Sequence, residues 1–208
     1  MIQNRKLIVI PIVHTKADFG QLGQRMNIDA EMQDMVRRYW NGVFDFVKSL
    51  PVDFSSLRVY QDGLPDTGDD DVSLVVERAQ TPNYEVIRWL RDKGAHIVGT
   101  EDKDLLVRQY NLLQAVLTTD PIEDEDGYIN ARLEYRNETP ILSQQRNVYI
   151  TQRIKDTLPE GGTGILFIGL AHEVKKMLEK DMNIVEPPET LLGSSTEFLQ
   201  RKIHAERS

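Results

Sequence analysis

Residues 7 to 13 read LIVIPIV. An unbroken apolar run of this length, dominated by β-branched side chains, is the pattern of a strand buried on both faces, as in a parallel sheet covered by helices. Pro11 lacks the N–H that a ladder needs and marks the strand's end. A second run of this kind spans Ile165 to Ile168.

Between these runs, strand and helix signals alternate. From Ile28, the apolar positions Met32, Met35, Val36, Tyr39, Trp40, Val43, Phe46, Val47 and Leu50 recur at spacings of three and four until Pro51, predicting one long helix. Its wide apolar face is read as core, with the seam of a homodimer as the alternative. Leu57 to Tyr60 is a short strand ending in Gln61, Asp62 and Gly63, and the acidic stretch GLPDTGDDD after it reads as a solvated loop. Thr81 at an N-cap, Pro82 in a first turn and Gly94 at a C-terminus bracket the next helix. His96 to Val98 is a third strand, followed by a helix from about Glu101 to Leu117. Residues 120–139 are acidic and turn-rich and read as an insertion or lid. Thr139 and Pro140 then open a helix closed by Pro159 and Gly161, and the strand Ile165–Ile168 leads to a helix from His172 to about Lys180. Asn183 to Val185 adds an edge strand, and 187–208 is a tail or a docked helix.

This alternation predicts an α/β fold: a mostly parallel, doubly wound, Rossmann-like sheet with helices on both faces and right-handed crossovers, plus the acidic insertion. At 208 residues, one domain over 1–186 is the expectation.

Composition narrows the function classes. The 33 acidic against 25 basic residues give a net charge of −8, which argues against a phosphate-backbone binder. The absence of cysteine removes disulfides, thiolate metal sites and cysteine nucleophiles, and fits a cytoplasmic protein. The first apolar run is too short to span a bilayer, and Pro11, His14 and Lys16 replace the small-residue cleavage site of a signal peptide, so no membrane partner is expected. The GGTG glycines at 161–164 precede a strand and there is no GK[ST], which excludes the usual nucleotide loops. No GxSxG elbow is present.

In a parallel sheet, residues just past the carboxyl ends of the strands collect along one edge. Here that edge gathers His14, Asp62, Glu101, Asp102 and His172. Imidazoles and carboxylates together either bind zinc, manganese or iron, or act as base and orienting acid for attack by water. His14 and His172 are the candidate metal ligands, and with Asp62 and Glu101 the candidate catalytic set. Acidic residues also favour first turns of helices for purely structural reasons, a reading that weighs most on Glu101 and Asp102. Arg146 and Arg153 are candidates for an anionic substrate, against the commoner role of surface arginines. A metal shared by both histidines requires them within about 5–7 Å.

The stretch from Arg146 to Leu178, RNVYITQRIKDTLPEGGTGILFIGLAHEVKKML, resembles the closing segment of the TraB, TIKI, ChaN and erythromycin-esterase-like superfamily, in which an Arg-bearing helix leads to a buried strand and a GxxH motif. That motif is Gly169 to His172 here, and LIVIPIVHTKADFG resembles the first strand and its own GxxH, with Pro11 in place of the glycine. Where the superfamily carries a glutamate after its second strand, this chain has Gln61 and Asp62. The resemblance implies a hydrolase class, with metal-dependent proteases among its members. The expectation is thus a metal-assisted or general-base hydrolase of a small molecule or peptide; the alternative is a non-catalytic binding module.

Overall fold

The computed structural model describes residues 5–13 and 30–193. Five strands form one all-parallel sheet: β1 (Lys6–Ile12), β2 (Arg58–Gln61), β3 (His96–Val98), β4 (Thr163–Gly169) and β5 (Asn183–Val185), in the order β3-β2-β4-β1-β5. The fold is α/β and Rossmann-like, with β4 inserted between β2 and β1.

The period-two geometry of a strand divides the apolar runs between two layers. Ile8, Ile10 and Ile12 of β1 join Val59, Ile165 and Phe167 against α1 (Ala30–Ser49), α2 (Asp69–Arg78) and α3 (Pro82–Asp92). Leu7 and Val9 join Tyr60, Leu166 and Ile168 on the other face, against α5 (Glu125–Thr157) and α6 (Val174–Leu178). This is why both runs are apolar without alternation.

Pro11 lies inside β1 and not at its end: it is in register with Ile168 of β4. β5 pairs with β1 only as far as Ile8, so the proline falls where that side of β1 has no ladder partner. Its carbonyl accepts the Tyr39 hydroxyl, and Trp40 Nε1 donates to the Val13 carbonyl at 3.0 Å. Met32, Met35, Val36, Tyr39, Trp40, Val43 and Val47 are all buried, so the wide face of α1 is core and not a dimer seam.

Three expectations need correction. The GLPDTGDDD stretch is not all loop: Asp69, Asp70 and Asp71 fill the first turn of α2, where carboxylates favour the helix dipole, and Val72 and Val76 are buried. Residues 120–139 are not a lid or hairpin insertion. Only a short turn separates α4 (Lys103–Thr118) from α5, whose N-cap Asp124 accepts from the Gly127 amide. Thr139 and Pro140 do not open a helix, because α5 runs through them for 33 residues. Pro140 costs the bond to the Arg136 carbonyl, but the flanking turns pack on α4 and hold the helix together. Replacing exposed Pro140 by Ala is therefore expected to stabilise the protein by about 1–3 kcal/mol, read as a higher Tm. A lower Tm would show that the helix is not continuous there. Thr81 does occupy the N-cap of α3, although its hydroxyl pairs with Asn83 Oδ1 and not with a backbone N–H.

Past β5, residues 189–193 are helical and Leu191 packs on the α1 side of the core. His14, His204 and the rest of the tail lie outside the described residues. Among the described residues, no helix is long and apolar enough to cross a membrane.

Candidate functional site

The loops after β2 and β3 are zipped together. The Thr100 and Glu101 amides donate to the Leu64 carbonyl at 2.9 and 3.0 Å, and the Asp66 amide donates to the Glu101 carbonyl at 2.7 Å. Gly99 permits this approach, since a Cβ there would lie 2.7 Å from the Asp66 Cα. The result sets Asp62 and Glu101 side by side at the carboxyl edge, beneath α5.

Arg146 of α5 reaches down between them. Its Nε and one terminal nitrogen grip Glu101 at 2.5 and 2.7 Å, and the same terminal nitrogen lies 2.8 Å from Asp62 Oδ1. Glu101 has no exposed surface, and its Oε1 also accepts the Gly63 amide at 2.7 Å. Asp62 Oδ2 accepts the Gly169 amide at 2.9 Å, tying the end of β4 to the cluster, and stands 3.4 Å from His172 Nε2. His172 Nδ1 lies 2.6 Å from Asn147 Oδ1. A continuous chain thus runs Glu101, Arg146, Asp62, His172, Asn147.

One cation faces two buried carboxylates, and this decides the electrostatics. Burial, reinforced by the Asp62 charge, pushes the Glu101 carboxyl up to about 7 despite Arg146. Burial acts against the charged Arg146, yet the hydrogen bonds and charges of Glu101 and Asp62 outweigh it and hold the guanidinium protonated. Glu101, with no exposed surface, is the carboxyl of this cluster that holds its proton towards neutral pH.

Asp62, Glu101 and His172 thus lie together at the carboxyl edge, and Arg146 joins them from α5, while His14 lies outside the described residues. Arg146 is buried, not a surface residue, and both carboxylates claim it, so it is not placed to bind an anionic substrate. Arg153 is likewise engaged: it donates to the Gly99 carbonyl at 3.0 Å and to Asp66 Oδ1 at 2.8 Å, and clamps the loops. Asp102 caps α4 through the Asp104 and Leu105 amides. His96 opens β3 at the opposite edge.

Asn147 and Tyr149 were not anticipated at the site, and Gln61 only as standing where the resembled superfamily carries a glutamate. Asn147 could have been found from its position on the apolar stripe of α5, three residues before Ile150 and seven before Ile154. Gln61 is 2 % exposed, with Nε2 donating to the Asp62 carbonyl. Tyr149 donates to Asp66 Oδ2 at 3.1 Å.

A divalent metal does not fit the carboxylate pair, because the Arg146 guanidinium occupies the position between the oxygens that a cation would take. Among the described residues, no three His, Asp or Glu side chains group as a metal site. No protein-family model, no curated protein and no solved structure matches the chain.

Proposed function

We propose that the chain is a hydrolase in which His172 is the general base for attack by water, Asn147 sets its tautomer and Asp62 supports the charged ring. The observation carrying this reading is the ring's position past β4, with Nδ1 2.6 Å from Asn147 Oδ1 and Nε2 3.4 Å from Asp62 Oδ2. An amide oxygen only accepts, so this reading takes the tautomer with the proton on Nδ1, in which the Nε2 lone pair is the base. Water gives its proton to Nε2 as its oxygen bonds to the acyl carbon of the substrate. The imidazolium so formed is balanced by Asp62 and returns the proton to the leaving oxygen or nitrogen as that bond breaks. A small-molecule or peptide ester or amide is the substrate class. The GxxH resemblance of Gly169 to His172 supports the same class of reaction.

A non-catalytic binding module is the second reading. It is favoured by the complete engagement of Arg146 within the cluster, the arrangement of a structural ion network.

The test is a screen of purified protein against chromogenic esters and aminopeptide amides, with His172→Ala and Asn147→Leu alongside. Turnover in the wild type that both substitutions abolish supports the hydrolase. Undiminished turnover in His172→Ala sinks it. No turnover, with small molecules still raising the Tm of the wild type, supports the binding module.

A further inference from the structure

α4 and the first half of α5 form an antiparallel hairpin that extends beyond the sheet. Its register is fixed by Arg108 pairing with Glu138, and only Leu112 of the 16 residues of α4 is buried. α5 has no buried residue before Leu142. Yet the hairpin is rich in apolar side chains. Val107, Tyr110, Ile129, Leu133 and Ile141 are each 46–53 % exposed, and Ile122 at the tip is 92 % exposed. Of the large hydrophobics exposed among the described residues, only Leu74, Val148 and Leu170 lie elsewhere. Leu105, Leu106, Leu113 and Leu117 are only half-buried. The apolar side of α4 is wider than one neighbouring helix covers, so two helices alone leave part of it open to solvent.

We propose that this hairpin is the interface of a symmetric homodimer, in which two copies pack their α4–α5 hairpins antiparallel into a four-helix bundle. Charge identifies a second copy as the occupant. The tip carries Asp120, Glu123, Asp124, Glu125 and Asp126 with no cation among 119–127, whereas the shaft and base expose Lys103, Arg132 and Arg136 against Asp104 and Glu134, with Arg108 and Glu138 paired to each other. Tips placed side by side would repel. An antiparallel two-fold pairing sets each acidic tip beside the partner copy's shaft, where cations outnumber acids, and separates the two tips, which makes the surface self-complementary.

The dimensions agree. Sixteen residues of helix are about 24 Å long and about 10 Å across, so a two-helix face offers on the order of 500 Å² per copy and about 1,000 Å² in the pair, the threshold of a specific interface. Between α4 and α5 lies a groove of about 470 Å³ with an apolar floor of Val107, Leu112 and Ala115 and a polar rim of Asp104, Arg108, Asn111 and Glu134, and in the proposed dimer it receives side chains from the facing pair. Bundles of this kind bury knobs of one hairpin in holes of the other.

The experiment is sedimentation velocity on the full chain at about 100 μM, a hundredfold above a micromolar Kd. The wild type is expected at twice the mass of the chain. Leu133→Glu on α5 and Tyr110→Glu on α4 are each expected to weaken association more than about tenfold, with circular dichroism unchanged. Leu74→Glu on α2 is expected to remain dimeric. Testing one variant on each helix keeps the result decisive should one of them fold poorly. A wild type that sediments as a monomer overturns the proposal, as does a dimer that survives both hairpin substitutions.

Discussion

Arg146→Met is expected to lower the unfolding free energy by about 3–5 kcal/mol, a large share of the total for a domain of this size. The substitution keeps the aliphatic bulk and removes the cation, leaving Glu101, with no exposed surface, facing Asp62 without a counter-charge. Thermal melting reads the loss as a drop of about 10 °C or more. The drop should be smaller near pH 5 than near pH 8, because a protonated Glu101 needs no partner. Arg146→Lys should recover only part of the loss, since an ammonium replaces two contacts to Glu101 and one to Asp62 with a single point charge. A more demanding comparison replaces Arg146, Glu101 and Asp62 together by apolar residues of similar volume. Such a variant should be more stable than Arg146→Met alone, because the cost lies in the stranded charges. An Arg146→Met protein melting within about 2 °C of the wild type would mean that water already solvates the carboxylates and that the network is not buried in solution.

The same residues show what could be read from sequence. The sheet was legible because burial on both faces forces LIVIPIV and ILFI to be apolar at every position, a signal that does not depend on partners far along the chain. The carboxyl-edge rule then brought Asp62, Glu101 and His172 to one place, since parallel strands leave that edge no freedom. The role of Arg146 was not legible. Its spacing on α5 is compatible with a surface position, and only the tertiary approach of α5 to the β2 and β3 loops decides that it is buried between two carboxylates. α5 itself was misread because Pro140 and the acidic 120s are local breaking signals. Packing along α4 overrides them, and α2 shows the converse, with three aspartates that look like loop stabilising a first turn. Asn147 carried a signal in its polar character within an apolar stripe, but which group it would meet depended on the turn that follows β4.

Raising the pH from about 5 to about 8 is expected to destabilise the protein through Glu101, the reverse of what an ordinary salt-bridged carboxylate does. A carboxyl at 4.5 in the unfolded chain and at about 7 in the folded one binds its proton more tightly when folded. Between those values the native state holds more protons than the unfolded state, so its stability falls as pH rises. The contribution is fully present below 4.5 and gone above about 7. Each unit is worth about 1.4 kcal/mol, which sets a ceiling of roughly 3 kcal/mol across the window. Glu101→Gln removes the titrating proton while keeping the shape, so chemical denaturation from about pH 5 to about pH 8 should show a slope in the wild type that is flattened in the variant. Equal slopes in both would mean that Arg146 and the Gly63 amide keep Glu101 ionised throughout. The two outcomes assign different charges to the cluster. With Glu101 protonated, Arg146 and Asp62 balance, and the chain to His172 is neutral. With Glu101 ionised, one buried negative charge is in excess next to the proposed base. The denaturation slope thus reports, without any substrate, which of these states surrounds His172 at neutral pH.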